Sequence, residues 1–171
     1  MSPPDAPPSD IPAPFVCTGL SVLPEWIDVN GHMNVARYVE VFDRAFDEVY
    51  TALGMSFRSL VRSGVSTFTA EVHITYRREL RLGEPLRVTT QMIGFDDRRL
   101  HFFQSLYQDE ARALAATGEW LLLHVDMASR RAAPMAPWMK ERFERVRQAH
   151  AALPRPPLLG RGISLANRRP D

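Results

Sequence analysis

One cysteine, Cys17, stands among 171 residues, which excludes an intramolecular disulfide and a cysteine-based zinc site and suits a reducing compartment. It lies in the apolar run Phe15-Val16-Cys17, where a small buried hydrophobe is expected rather than a reactive thiol. Charge of one sign is also missing. With 21 basic and 20 acidic residues the formal net charge is +1, which offers no electrostatic footprint for a nucleic-acid backbone. No apolar run approaches the roughly 20 residues that span a bilayer. The N-terminal stretch from Met1 to Pro8 has neither the basic nor the apolar part of a secretory signal. A cytoplasmic protein with no nucleic-acid and no membrane partner is therefore expected.

What is present reads as one globular domain over 14–152, preceded by a Pro-rich tail at 1–13, expected to be flexible, and followed by a C-terminal tail at 153–171. A first strand is expected over Phe15 to Leu23, ending at Pro24. From Val35 to Leu53 the large apolar residues fall at three-and-four spacing on one helical face, Glu40 and Arg44 are placed for an i,i+4 ion pair, and Gly54 is placed to end the helix. A short second helix is expected over Ser56 to Arg62. Four strands follow, over Ser66 to Arg78, Leu86 to Ile93, Leu100 to Tyr107 and Ala113 to Met127. The second and third of these should form a hairpin about Gly94-Phe95-Asp96-Asp97. The run Trp120-Leu121-Leu122-Leu123 implies a strand buried on both faces. A last helix is expected over Pro137 to Ala152, with Phe143, Val146 and His150 on one side. There is no alternating βαβ series. A lone long helix must hide its apolar face, so the expected fold is α+β, a curved antiparallel sheet wrapped around one central helix.

The polar residues concentrate in Glu25-Trp26-Ile27-Asp28-Val29-Asn30-Gly31-His32-Met33-Asn34, between the first strand and the long helix. Asp28 sits just ahead of a helix N-terminus, whose free N–H groups offer a place for developing negative charge. A carboxylate there could attack an acyl carbon or deprotonate a water that does, while N–H groups near Asn34 and Val35 hold the oxyanion. Such chemistry needs no metal and no organic cofactor. His32 could orient Asp28 or donate to the substrate. The same residues also make a good turn, with Asn34 a good N-cap.

Asp28-Val29-Asn30-Gly31-His32-Met33-Asn34, followed by Tyr38 and Asp43, resembles the signature of 4-hydroxybenzoyl-CoA thioesterase-like hotdog proteins. The resemblance extends from about Phe15 to Arg147 and includes Val125-Asp126-Met127-Ala128-Ser129-Arg130-Arg131-Ala132-Ala133-Pro134. It implies a hotdog fold and an acyl-CoA thioesterase, with Asp28 as nucleophile or general base, the polarising helix amide at or beside Val35, and Gly31 as part of the substrate loop. It also implies a homodimer or homotetramer whose sites draw on both subunits.

A narrower resemblance, through Glu25-Trp26-Ile27-Asp28, Phe68-Thr69-Ala70-Glu71, Arg78 to Leu86 and Leu121 to Met127, is to the thioesterases of carnitine breakdown that act on betainyl-CoA. It makes Trp26, Phe68, Tyr76, Trp120 and Glu71 candidates for holding a quaternary ammonium. Arg77, Arg78 and Arg81 form a basic cluster able to meet the phosphates of coenzyme A. Trp26 and Val35 stand where many members of the broader family have an acidic residue and a second asparagine, which disfavours aryl or ordinary fatty acyl groups. Two alternatives share the scaffold, a noncatalytic acyl-CoA sensor and a hotdog enoyl-CoA hydratase. The latter's Asp-x-Asn-x-x-His spacing is only echoed by Asp28, Asn30 and His32.

Overall fold

The long helix forms where a capping residue meets an apolar stripe. Asn34 accepts the Ala36 N–H on Oδ1 at 3.0 Å, and helix α1 runs over Val35–Ala52, satisfying one of the N–H groups a helix start leaves unpaired. Tyr38, Val41, Phe42, Ala45, Phe46, Val49 and Tyr50 form its buried face. The outer face carries the expected Glu40–Arg44 pair at 2.7 Å, joined by Arg37 at 2.7 Å, an exposed network worth at most a few tenths of a kcal/mol per pair.

The structure, a computed structural model, describes residues 10–165. Strands β1 (Phe15–Ser21), β2 (Val65–Tyr76), β3 (Pro85–Phe95), β4 (Arg99–Gln108) and β5 (Ala113–Asp126) form one antiparallel sheet in the order β1-β3-β4-β5-β2. The two-residue β6 (Arg131–Ala132) pairs with β5. Helices α2 (Phe57–Arg62) and α3 (Pro137–His150) complete the chain. Of the expected N-terminal tail, residues 1–9 lie outside the described residues, while Ile11 packs against the core. Of the expected C-terminal tail, 166–171 lie outside them.

The core is the space between α1 and the inner face of the sheet. Trp120 meets the rings of Phe42 and Phe46 edge-on at 6.0 and 5.4 Å, and Phe46 meets Phe102 at 5.4 Å. Each such fully buried side chain contributes roughly 1.5–3 kcal/mol. Gln104, wholly buried, donates from Nε2 to the Phe42 carbonyl and to Thr90 Oγ1, both at 3.1 Å, tying helix to sheet. Gly118 leaves room for the Trp120 indole, whose Nε1 would lie 2.5 Å from a Cβ at that position.

The expected hairpin is present, but its reversal falls one to two residues later, at Asp96 to Arg98. Gly94 is absorbed into β3 as part of a register shift, and the Asp96 carboxylate accepts the N–H groups of Arg98 and Arg99. β5 is buried on both faces at 115–118 and 124–125, but not over the run Trp120 to Leu123 from which this was expected. Trp120 and Leu122 are buried under α1, whereas Leu121 and Leu123 are half-buried on the outer face, the period-two alternation of a sheet covered by helix on one side only.

His150 fastens α3 to the sheet. Its Nδ1 accepts the Met92 N–H at 2.9 Å, so the ring proton sits on Nε2, which donates to the Pro12 carbonyl at 2.9 Å. Burial holds its pKa below the ordinary value, against a smaller opposing effect of the Pro12 carbonyl. The unfolded chain takes up this proton near pH 6.5, so stability is full above about pH 6.5 and declines as pH falls through the lower folded value. Urea midpoints measured at pH 8 and pH 5.5 are expected to drop in the native chain and to drop less in His150→Gln. Equal drops would remove His150 as the cause.

Candidate active site

Between β1 and α1 the chain makes a single 3-10 turn over Pro24–Trp26 and then a small closed loop. Ile27 and Met33 form an antiparallel bridge, Asp28 N–H donates to the His32 carbonyl at 3.1 Å, and Gly31 N–H donates to the Asp28 carbonyl at 3.0 Å. Gly31 has φ +78°, a left-handed conformation that favours glycine; its place in the loop is to turn the chain. Met33 N–H donates to the Leu80 carbonyl at 2.7 Å, which docks the loop on the segment after β2.

This loop presents Asp28 to the start of α1. Asp28 Oδ1 accepts the Asn30 N–H at 2.8 Å, and Oδ2 lies 3.4 Å from Asn34 Nδ2. Asn34 thus caps the helix with one side-chain atom and steadies the carboxylate with the other. Its own N–H is spent on the Trp26 carbonyl at 2.8 Å, so Asn34 cannot supply an oxyanion amide. Val35 can: among the described residues its N–H has no hydrogen-bond partner, and it opens the positive end of α1. His32 Nδ1 is 4.0 Å from Asp28 Oδ1 and 3.3 Å from the Met33 carbonyl. The Asp28 side chain is 20% exposed and that of His32 34%, so both are within reach of solvent.

A cavity of about 430 Å³ opens at this helix end, lined by His32, Met33, Val35 and Tyr38 on one side and by Tyr76, Arg77, Arg78 and Glu79 on the other. Asp28 does not line it; the carboxylate stands beside it, next to His32. Tyr38 donates to the Arg78 carbonyl and Tyr76 to the Val35 carbonyl, each at 3.2 Å, and the two rings meet edge-on at 5.2 Å. Burial pushes both phenols above their ordinary pKa, so they remain donors. These two bonds clamp the strand end to the first turn of α1.

The structure brings together Asp28, Gly31, His32, Asn34, Val35, Tyr76, Arg77 and Arg78. Arg81 stands one step outside, exposed and paired with Glu79 at 2.7 Å. The other proposed pieces of a cation cage do not join. Trp26 is 2% exposed, with the Arg44 guanidinium over its ring at 5.3 Å, and Trp120 is packed under α1. Phe68 is covered by Arg130 at 5.0 Å. Glu71 lines a different crevice, of about 560 Å³, which Trp120 also borders, together with His73, His101, Glu119 and Gly160.

The reason is a bulge in β2. Thr69 pairs with Leu122 but Glu71 pairs with Leu121, so Ala70 is the extra residue and the face of every later side chain reverses. Glu71 shares the outer face with Leu121, while Tyr76, opposite Ala116, shares the inner face with Trp120. Tyr38 and Glu79 were missed as site residues in the sequence. Tyr38 carries a readable signal, since it lies one helical turn past Asn34, but Glu79 carries none. Asp43 is exposed on α1, nine residues or about 13 Å beyond Asn34 along the axis. Burial, then the charge of Glu48, pushes the Cys17 thiol up, which suppresses its thiolate. Among the described residues no cluster of three or more His, Cys, Asp or Glu could hold a metal ion.

A sheet curled around one helix, with a carboxylate and an open amide at the helix start, defines a hotdog thioesterase. The model of the thioesterase-like superfamily matches residues 22–143, and the chain belongs to that family. It is 39% identical to a betainyl-CoA thioesterase of Pseudomonas aeruginosa over 84% of this chain and 91% of that protein. It is 30% identical to an L-carnitine dehydrogenase/betainyl-CoA thioesterase of Rhizobium meliloti over 90% of this chain, but spans only 31% of that longer protein. A hypothetical protein of Staphylococcus aureus, solved in complex with CoA, superposes with a TM-score of 0.82 at 28% identity, covering 92% of this chain and 99% of the other. The chain is an acyl-CoA thioesterase: it cleaves a thioester to a free acid and CoA. No helix among the described residues is long and apolar enough to cross a membrane.

Proposed function

We propose that this thioesterase acts on betainyl-CoA, giving glycine betaine and CoA, in the cavity at the start of α1. The observation that carries the site is the pairing of an unpartnered Val35 N–H with a carboxylate steadied by Asn34. Asp28 attacks the acyl carbon, or takes a proton from the water that does, and the Val35 N–H receives the oxyanion. One such donor lowers the barrier by about 3 kcal/mol. The residues themselves supply the chemistry, without a metal or organic cofactor.

Substrate choice rests on the similarity to betainyl-CoA thioesterases and on the cavity wall. The acyl group of betainyl-CoA ends in a quaternary ammonium, which is attracted to aromatic faces and carboxylates. Tyr76 and Tyr38 with Glu79 supply these, in place of the dispersed rings named from sequence. Arg77 and Arg78, on the same wall, answer to the phosphates of CoA. Thiol release from betainyl-, acetyl-, aryl- and long-chain acyl-CoA tests the reading. Betainyl-CoA is expected to have the highest kcat/KM, and Tyr76→Leu to lower it about tenfold while changing acetyl-CoA turnover much less, in line with a desolvated cation–π contact of about 1–2 kcal/mol. A flat profile across the panel would discard the substrate.

The chain is further proposed to work in the cytoplasm as a homodimer or homotetramer. β2 is an edge strand whose centre, 69–72, is exposed, with Val72 40% exposed, an open edge of the kind that a second copy covers. Light scattering on the eluted protein would reveal a monomer if this is wrong.

A further inference from the structure

We propose that His32 is the acid that protonates the departing sulfur, a role that rests on thioester hydrolysis with Asp28 as general base and goes beyond it. His32 is the histidine that lines the cavity at the start of α1. The other four of the chain's five are committed elsewhere. His73 and His101 line the outer-face crevice, where His101 is bonded to Glu119 at 2.9 Å; His124 is buried against the Ala133 carbonyl, and His150 is buried in the α3 joint.

The ring is already oriented for the task. Two acceptors face Nδ1, the Met33 carbonyl at 3.3 Å and Asp28 Oδ1 at 4.0 Å, and they favour a proton on that nitrogen. Nε2 has no hydrogen-bond partner among the described residues. The protonated ring therefore donates its second proton from Nε2. Asp28 stands beside the cavity and His32 stands in it, so the carboxylate and the ring divide the two proton transfers of the reaction.

The steps balance. Asp28 takes one proton from a water molecule as the water oxygen bonds to the acyl carbon, and the carbonyl electron pair moves onto the oxygen facing Val35 N–H. When that pair returns, the carbon–sulfur bond breaks, its electrons leave with sulfur, and sulfur takes the Nε2 proton. This leaves the carboxylic acid, the CoA thiol, a neutral ring and a protonated Asp28. The acid loses its proton to solvent, and the Asp28 proton returns to the ring through solvent, restoring both groups. An alkyl thiolate is a strong enough base to benefit from this proton, whereas an aryl thiolate, a much weaker base, leaves without it.

The test compares betainyl-CoA with the S-phenyl thioester of betaine, in the native chain, His32→Gln and Asp28→Asn. General acid catalysis is worth about 10²-fold or more. His32→Gln is expected to lose about 100-fold in kcat on the CoA thioester and under about fivefold on the phenyl thioester, while Asp28→Asn loses activity on both. His32→Ala is expected to regain CoA-thioester turnover when imidazole is added. Equal losses on both substrates without imidazole rescue, or no loss on either, overturn the role of His32 and leave the thioesterase intact. If the native chain cleaves neither, the betainyl reading fails along with it.

Discussion

Asp28→Asn is expected to lower kcat/KM for the preferred acyl-CoA by about 10³-fold, equivalent to about 4 kcal/mol of transition-state stabilisation. The substitution keeps an acceptor for the Asn30 N–H, yet removes the negative charge that either attacks the acyl carbon or draws a proton from water. It also turns the second oxygen into an NH₂ group facing Asn34 Nδ2, now 3.4 Å away. Asn34 cannot flip to accept it without giving up the Ala36 N–H that its Oδ1 receives. Part of the loss would then come from a disturbed helix start, so Asp28→Ser, too short to reach Asn34, serves as the companion variant. Both are expected to be nearly inactive. If thiol release by either variant stays above about a third of the native rate, Asp28 is not the reactive group. Hydrolysis in heavy-oxygen water separates its two possible roles, because direct attack leaves label in the Asp28 carboxylate after one turnover.

The largest effect on stability is expected at Arg142. This guanidinium, 4% exposed, donates from Nη1 to the carbonyls of Leu53 at 2.9 Å and Gly54 at 3.1 Å, and stacks over Trp138 at 4.9 Å. It closes the C-terminal end of α1 from a different helix, where carbonyl groups have no intrahelical partner and a cation meets the negative end of the helix dipole. Arg142→Ala leaves buried carbonyls unpaired and empties the volume of the side chain. Together these cost about 3 kcal/mol. For a chain of this size that lowers Tm by about 6–12 °C. A calorimetric shift under about 2 °C would mean that water satisfies those carbonyls at no cost.

Much of the architecture could be read from local pattern. The stripe from Val35 predicted α1 to within one residue, Asn34 was recognisable as a cap, and four of the strands after it were placed to within two residues at their ends. The reason is that period and capping are properties of a few adjacent residues. The hairpin reversal was misplaced because Gly94 looks like a turn residue but serves as part of a register shift in β3. Arg142 gave no local signal at all. An arginine on an amphipathic helix reads as solvent-facing, and the carbonyls it serves lie 88 and 89 residues away.

The site divides along the same line. Asp28, Gly31, His32, Asn34 and Val35 lie within eight residues, so short-range turn and cap geometry alone was enough to bring carboxylate, imidazole and helix amide together, and the sequence by itself determined that a carboxylate would stand at a helix start. The opposite wall was legible only in part: Tyr76, Arg77 and Arg78 could be named from the sequence, whereas Glu79 and the exclusion of Glu71, Trp26, Phe68 and Trp120 were decided by tertiary structure. Whether Tyr76 or Glu71 faces the cavity depends on one extra residue in β2, since a bulge reverses the side of every side chain after it. Whether Trp26 and Trp120 bind substrate or fill the core depends on which rings pack beneath α1. Neither parity across a bulge nor competition for buried volume is a property of neighbouring residues, which is why the helix-side half of the site was legible and the strand-side half only in part.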